Sequence, residues 1–280
     1  MTSDTNMLPA DLERRFGGLA RLYGAAGAMR IRGAHIVVVG LGGVGSWAAE
    51  AAARSGVAHL TLIDLDHIAE SNINRQIHAL DISLGQAKVQ AMRERIARIN
   101  PDCVVTCIEE FVEPGNWPDI LALDDGFNRK QLAVIDACDQ VRAKTAMAAW
   151  AIKNRVALIS VGAAGGKRLA HRVEIDDLSL VTHDPLLAQL RYRLRKEQGA
   201  ARLGKIGVAC VFSREPVQRP AIECAVNLHE DDSPNRSGQD AADFAQTDGS
   251  LNCHGYGSVV SVTSTFGMCA AGWVLDKIAG

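Results

Sequence analysis

A glycine turn that directly follows an apolar, β-branched run constrains this chain more than any other feature. Residues 35–39 read HIVVV and residues 40–46 read GLGGVGS, which predicts a buried strand followed by the start of a helix. Spaced glycines allow a sharp turn, a close approach to a phosphate and close packing of the helix on the strand. Free N–H groups and the helix dipole favour an anion there. The ligand-binding candidates in this turn are Gly40, Gly42, Gly43, Gly45 and Ser46.

Polar residues that suit a nucleotide follow a second predicted strand, residues 59–63. Asp64 ends this strand, at the position where an acid usually binds ribose hydroxyls. One Arg and one Lys beyond it suit a triphosphate better than a dinucleotide, because a triphosphate carries more negative charge. Isolated cations of this kind are otherwise ordinary surface charges. The further nucleotide-binding candidates are Asp66, Asn72, Arg75 and Lys88.

Four segments that contain these residues resemble a known superfamily: GLGGVGS, LIDLDHIAESNINRQ, GQAKV and VIDACDQVRAK. They are similar to the adenylating superfamily of ubiquitin-activating enzymes and their bacterial relatives ThiF, MoeB and HesA. Other segments resemble one branch, the tRNA threonylcarbamoyladenosine dehydratases: RFGGLARLYG, VGAAGGK, GVACVFSREPV and GYGSVVSVTSTFGMCAAGWVL. The resemblance covers nearly the whole chain and is weakest at 111–131 and 227–250. It implies ATP and Mg²⁺ as cofactors and leaves room for a monovalent cation.

The resemblance implies an ATP-dependent dehydratase that acts in the cytoplasm. In that branch, the threonyl carboxylate of the modified adenosine at tRNA position 37 attacks the α-phosphate of ATP and forms an acyl adenylate. A group in the same substituent then displaces AMP and closes a ring, so the enzyme needs no nucleophile of its own. The protein positions the reactants and neutralises charge. The residues that the resemblance implies to be catalytic are Arg75, Lys88, Asp139 and Arg15.

Asp139 and Arg15 each have an ordinary interpretation beside the functional one. Asp139 lies in the turn DACD after the predicted strand 132–136, where an Asp is commonly a helix N-cap. This turn is expected at the ligand edge of the sheet, where a carboxylate suits Mg²⁺ bound to phosphates. By resemblance, Asp139 serves ATP and Mg²⁺, and Arg15 reaches the ATP of a neighbouring subunit in a homodimer. The alternative for Arg15 is a surface charge on a helix.

Strand and helix patterns alternate over residues 35–160 and predict an α/β fold with a Rossmann-like, mainly parallel sheet and flanking helices. The predicted strands are 35–39, 59–63, 103–108, 132–136 and 156–161, and the predicted helices are 44–55, 85–99 and 141–154. A further helix is expected over 8–30. We divide the chain into an N-terminal helix plus ATP-binding part, 1–165, and an appended substrate-binding part, 166–280, continuous with the same domain. The polar stretch 228–250 is expected to be a mobile loop.

The densest basic segment of the chain lies on an amphipathic helix predicted over residues 183–198. Such a cluster is usually a solvated face, but a tRNA substrate would supply phosphates for it to contact. The net charge of −2 provides no overall basic field, so RNA binding must depend on a local patch. The candidate tRNA contacts are Arg191, Arg193, Arg195 and Lys196.

The seven cysteines form no CxxC pair. Several ThiF and MoeB relatives bind structural zinc through two such pairs, so we expect no zinc. An odd number of cysteines without a secretory signal favours a reducing cytoplasm and buried, inert thiols, Cys210 and Cys253 included. The uncharged stretch 255–275 is long enough to cross a membrane, but its glycines and hydroxyl residues favour a buried packing helix.

Three other functions share parts of this pattern. Adenylation of the C-terminal glycine of a ubiquitin-like sulfur-carrier protein would use the same nucleotide site, but the zinc cysteines are absent. A nicotinamide-dependent oxidoreductase would leave Asn72, Arg75, Lys88 and Asp139 without a role. A protein that binds ATP and tRNA without turnover would not need this set of charged residues. The resemblance also suggests a sulfur-relay protein of a cysteine desulfurase as a partner.

Overall fold

A seven-stranded sheet forms the centre of the computed structural model, which describes residues 10–123, 128–218 and 256–280. The strands are β1 (His35–Val39), β2 (His59–Ile63), β3 (Val104–Ile108), β4 (Leu132–Asp136), β5 (Ala157–Val161), β6 (Val173–Asp177) and β7 (Ala209–Ser213). Their order in the sheet is β3-β2-β1-β4-β5-β7-β6. Only the β6–β7 pair is antiparallel. The predicted Rossmann-like, mainly parallel sheet is confirmed, and the loop predicted at 228–250 lies outside the described residues.

Helices cover both faces of this sheet, which explains why its central strands are buried and mostly apolar. The helices are α1 (Leu12–Phe16), α2 (Gly18–Arg32), α3 (Gly45–Arg54), α4 (Lys88–Ile99), α5 (Val141–Asn154), α6 (Pro185–Glu197) and α7 (Val260–Ala279). The N-terminal helix predicted as one piece is broken: Gly24 has a φ of 70°, which glycine adopts at little cost. Helix α4 begins later than predicted because Gly85 has a φ of 77°.

Helix α7 fills the position predicted for a buried packing helix. It packs against α3 and α2, and its buried side chains include Val262, Phe266 and Val274. Gly267 lies so close to α3 that a Cβ atom there would overlap the carbonyl oxygen of Val44. No helix in the part of the chain that the structure describes is long and apolar enough to cross a membrane. The last helix of the chain thus belongs to the core that supports β1 and the glycine turn.

The approach of α7 to α3 predicts different effects for two glycines of the same helix. Gly267→Ala should lower the free energy of unfolding by about 1–3 kcal/mol, the usual cost of overpacking. Gly272→Ala is the matched control, since nothing lies within 4 Å of the Cβ position at Gly272. The control should leave stability unchanged or raise it by up to about 1 kcal/mol, because alanine favours a helix. Urea unfolding of both variants measures this, and equal changes would contradict the packing.

Candidate nucleotide site

A cleft of about 440 Å³ opens at the carboxyl ends of the parallel strands. Backbone hydrogen bonds join the segments that follow these strands. The N–H of Gly40 donates to the carbonyl of Ile63 (2.8 Å), and that of Ala137 donates to the carbonyl of Val39 (2.9 Å). Open α/β sheets bind ligands at this edge. Eight predicted residues line the cleft together: Gly40, Gly42, Gly43, Asp64, Asp66, Arg75, Lys88 and Asp139.

The glycines of the turn after β1 have different physical roles. Gly40 has a φ of 85°, and a Cβ on it would lie 2.9 Å from the carbonyl oxygen of Ala137. A Cβ on Gly45, at the start of α3, would overlap the carbonyl oxygen of Gly40. At Gly42 a Cβ would meet nothing within 4 Å, and this residue lines the cleft. Gly40 and Gly45 therefore close the turn, while Gly42 leaves the backbone accessible to a phosphate.

Three predicted ligand-binding residues, Gly45, Ser46 and Asn72, do not line the cleft. The buried hydroxyl of Ser46 donates to the carbonyl of Gly42 (2.7 Å). The side-chain oxygen of Asn72 accepts from the N–H of Ala69 (3.1 Å). These contacts fix the glycine turn and the segment that carries Arg75.

Asp64, Asp66 and Lys88 form the charged centre of the cleft. Asp64 accepts hydrogen bonds from the N–H groups of Leu41 (2.5 Å) and Asp66 (2.9 Å). The ammonium of Lys88 lies 2.7 Å from Asp66 Oδ2 and 3.8 Å from Asp64 Oδ1. Burial raises the pKa of Asp64 above its usual value, although Lys88 and the two N–H groups act against this change. A carboxylate at the end of β2 and a cation at the start of α4 thus face one space.

Arg75 and Asp139 line the same cleft as this charged centre. The guanidinium of Arg75 donates to the carbonyl of Ser71 (2.6 Å) and to the side-chain oxygen of Asn74 (2.9 Å). Its aliphatic carbons pass over Gly43, where a Cβ would be 3.0 Å from Arg75 Cγ. Asp139 is exposed in the turn after β4. One carboxylate together with phosphates is a usual set of ligands for Mg²⁺, so the residues present fit that ion.

The other predicted residues lie elsewhere in the subunit. Arg15 is exposed, does not line the cleft, and donates to the carbonyl of Ile99 at the end of α4 (2.8 Å). On α6, Arg191 donates to the carbonyls of Leu178 and Val181. The remaining basic residues of that helix also make contacts within the chain: Arg193 with Glu197, Arg195 with Ala201, and Lys196 with the ring of Tyr192.

The profile of the ThiF family matches residues 15–280. The chain belongs to the ThiF family. The tRNA threonylcarbamoyladenosine dehydratase of Escherichia coli strain K12 is 40% identical to it over 267 residues, covering 95% of this chain and 93% of that protein. The Haemophilus influenzae protein of the same name is 39% identical over 269 residues, covering 95% and 94%.

A solved structure extends this similarity to three dimensions. The E. coli tRNA N6-threonylcarbamoyladenosine dehydratase TcdA, in complex with ATP, matches with a TM-score of 0.78 and 38% identity. The match covers 97% of each chain, so it includes the sheet, the glycine turn and α7. The resemblance to the dehydratase branch is therefore confirmed over the whole ThiF-family chain.

Beneath the cleft of this ThiF-family protein lies a buried ion pair that sequence reasoning missed. The ammonium of Lys144, on α5, lies 3.0 Å from Asp136 Oδ1, and both side chains are 0% exposed. Ser160 donates to the other oxygen of Asp136 (2.7 Å), and Lys144 also donates to the carbonyl of Val161 (2.8 Å). Burial alone would lower the pKa of Lys144, but the Asp136 carboxylate raises it above the usual value. The motif VIDACDQVRAK contains both residues, yet no local signal distinguishes Lys144 from a surface lysine.

The thiols near the cleft are not poised to act as nucleophiles. Burial, followed by the nearby Asp136 carboxylate, raises the pKa of Cys138 well above its usual value. Burial also raises the pKa of Cys210 well above its usual value. Cys253 lies outside the described residues. Within the described ranges, no group of three or more His, Cys, Asp or Glu side chains is arranged to hold a metal by itself.

The buried pair predicts that removing one charged partner lowers the free energy of unfolding more than removing both. Lys144→Met should lower the free energy of unfolding by about 3–5 kcal/mol, because it leaves the Asp136 carboxylate buried without a counterion. Adding Asp136→Asn to this variant should recover a large part of the loss. Urea unfolding of the single and double variants at pH 7 measures the difference. A double variant no more stable than Lys144→Met would contradict this account.

Proposed function

We propose that the chain is an ATP-dependent dehydratase whose substrate is tRNA bearing threonylcarbamoyladenosine at position 37. The observation that carries the proposal is one cleft in which exposed glycine backbone, a buried acid at the end of β2 and two cations lie together. The chain is also similar to named dehydratases over 95% of its length. The threonyl carboxylate attacks the α-phosphate of ATP, and pyrophosphate leaves. A group within the same substituent then displaces AMP and closes a ring, so the nucleoside loses one water in total.

Each charged residue of the cleft has a part in this scheme. The backbone at Gly42 and Gly43 receives the phosphates, and Asp64 accepts hydrogen bonds from the ribose hydroxyls. Lys88 exchanges its contact with Asp66 for the phosphates, and Arg75 adds a second cation. Cations held in fixed positions stabilise the negative charge that develops on the phosphates and on the departing pyrophosphate. Gly40, Gly45, Ser46 and Asn72 hold this arrangement in place.

Asp139 is the residue that we assign to Mg²⁺. Mg²⁺ held by this carboxylate would offset the negative charge of the phosphates, which favours attack by an anionic carboxylate. A monovalent cation, which the resemblance also implies, is a further candidate cofactor. We assign no zinc.

The remaining assignments concern partners. We propose a homodimer in which Arg15 reaches the ATP of the other subunit, and a reaction that takes place in the cytoplasm. Residues 166–280 supply the substrate-binding part, with Arg191, Arg193, Arg195 and Lys196 as candidate contacts to tRNA phosphates. A sulfur-relay protein is a further candidate partner. Because Arg191, Arg193 and Arg195 already bind oxygen atoms of their own chain, the exposed Lys196 is the best placed of these cations.

The direct test of this function is release of AMP from labelled ATP with two tRNA samples. We expect AMP with tRNA that carries threonylcarbamoyladenosine and none with unmodified tRNA, together with loss of one water mass from the nucleoside. No release with either tRNA would overturn the proposal. Pyrophosphate exchange that appears only when a diglycine-ended carrier protein is added would instead support the sulfur-carrier function.

Two substitutions test the charge-neutralising residues. Lys88→Ala and Arg75→Ala should each lower the rate of AMP formation by at least about 100-fold, the usual effect of removing one fixed group that stabilises developing charge. Arg98→Ala is the matched control, because Arg98 is an exposed residue on the same helix as Lys88. Near-normal turnover of either test variant would remove that residue from the mechanism.

The same variants test whether Arg15 acts across the dimer. Arg15→Ala should be inactive alone, and mixing it with Lys88→Ala should restore activity, because each mixed dimer then contains one complete site. An inactive mixture whose subunits demonstrably exchange would contradict this role.

A further inference from the structure

A second concave surface lies at the edge of the sheet opposite the nucleotide cleft. It encloses about 620 Å³ and is bordered by the first residues of β5 and β7 and by the end of α7. We call it the basic groove, after the five cationic residues that line it: Arg30, Arg129, Lys130, Arg155 and Lys277. No Asp or Glu of the described residues lines it. The proposed chemistry of the cleft uses none of these cations.

Helix dipoles account for only part of this charge. Arg30 and Lys277 lie in the last turns of α2 and α7, and Arg155 directly follows α5. Each helix end carries roughly half a negative charge, so three ends offset about one and a half positive charges. The guanidinium of Arg30 is also committed to the carbonyls of Ile278 and Ala279. The groove therefore retains an excess of positive charge, to which Lys130, an exposed residue just before β4, contributes.

Arg155 occupies a backbone position that does not favour arginine. Its φ is 55° at the C-terminal end of α5, where glycine or asparagine is usual. The side chain is exposed and borders the groove. Helix capping does not explain the choice of residue, because glycine or asparagine would end the helix with less strain.

An aromatic ring in the same groove adds a second type of contact. Trp273 lines the groove, and the ammonium of Lys277 lies 5.6 Å from the centre of its ring. Trp273 is half-buried. Cations beside a partly exposed aromatic ring are a usual arrangement for single-stranded or looped RNA, where phosphates contact the cations and bases contact the ring.

We infer that the basic groove binds the phosphodiester backbone of the tRNA whose modified base enters the nucleotide cleft. This inference rests on the proposed function for the identity of the RNA. The strands that run from one surface to the other are five residues long. At roughly 3.3 Å per residue, the two surfaces are therefore about 16 Å apart. A mononucleotide bound in the cleft does not extend that far, whereas a folded tRNA does. The cations come from four separate elements, an arrangement that fits an extended chain of phosphates better than one compact anion.

The test is binding of an unmodified tRNA transcript, which does not depend on the reaction. The test variant combines Lys130→Gln, Arg155→Asn and Lys277→Gln, and the control combines Lys153→Gln and Arg98→Gln. Both control residues are exposed, and neither lines the groove. Fluorescence anisotropy over a series of salt concentrations should show at least about a tenfold weaker affinity for the test variant. The slope of log K against log salt should fall by about 0.7–0.9 for each lost phosphate contact. The control variant should retain the affinity and slope of the parent protein.

The single variant Arg155→Asn separates binding from folding. It should weaken tRNA binding while the midpoint of thermal unfolding stays the same or rises, because asparagine tolerates a positive φ better than arginine. Affinity and salt slope unchanged in the triple variant would overturn the inference. The inference would also be overturned if inorganic triphosphate bound to the groove with the same affinity as tRNA, since the groove would then be a site for a small anion.

Failure of the proposed function has a different signature. A parent protein that binds the transcript through the groove, but releases no AMP with modified tRNA, refutes the dehydratase and leaves the groove as an RNA site. A triple variant with an unchanged KM for modified tRNA in an active enzyme refutes the groove alone.

Discussion

The buried contact between Lys144 and Asp136 is the interaction on which the nucleotide cleft depends. It joins the end of β4, helix α5 and the end of β5, because Lys144 also donates to Val161 and Ser160 donates to Asp136. Two isolated charges at such depth would be costly, so the pair is stable only with these further hydrogen bonds. It fixes the turn that carries Asp139. It also fixes Ala137, against which Gly40 packs too closely for any side chain.

A second buried lysine supports the opposite wall of the cleft in a different way. Lys167 donates to three backbone carbonyls, those of His183 (3.2 Å), Ser213 (3.2 Å) and Glu215 (2.7 Å). The carboxylate of Glu215 in turn accepts from two N–H groups that directly follow Lys167 in the chain. Burial lowers the pKa of this lysine. The glycine-rich segment after β5 is therefore anchored to the end of β7, so both walls are held by buried ammonium groups.

The fold was predictable wherever a local pattern determines it. Three predicted strands, including residues 35–39, have the predicted limits, because an apolar, β-branched run followed by a turn identifies a central parallel strand. Strand β7 was not predicted: its five residues lie between β5 and an antiparallel edge strand, and an irregular segment precedes it. The break at Gly24 and the ion pair of Lys144 were also missed. Lys144 and Asp136 are only eight residues apart, but the pair is completed by Ser160 and Val161, which the fold brings in from the next strand.

The same distinction separates the two surfaces, at opposite edges of the sheet, that we propose to bind phosphate. In a parallel α/β fold, the N-terminus of α3 points at the cleft. Part of the attraction of the cleft for phosphate therefore comes from backbone N–H groups, and the glycine turn indicates their position in the sequence. The C-terminal, negative ends of α2, α5 and α7 lie at the opposite edge of the sheet. An anion site there requires side-chain cations whose total positive charge exceeds the negative charge of these helix ends. Those cations lie as far apart in sequence as Arg30 and Lys277. No local motif brings them together, and only the folded arrangement of helices around the sheet places them in one groove.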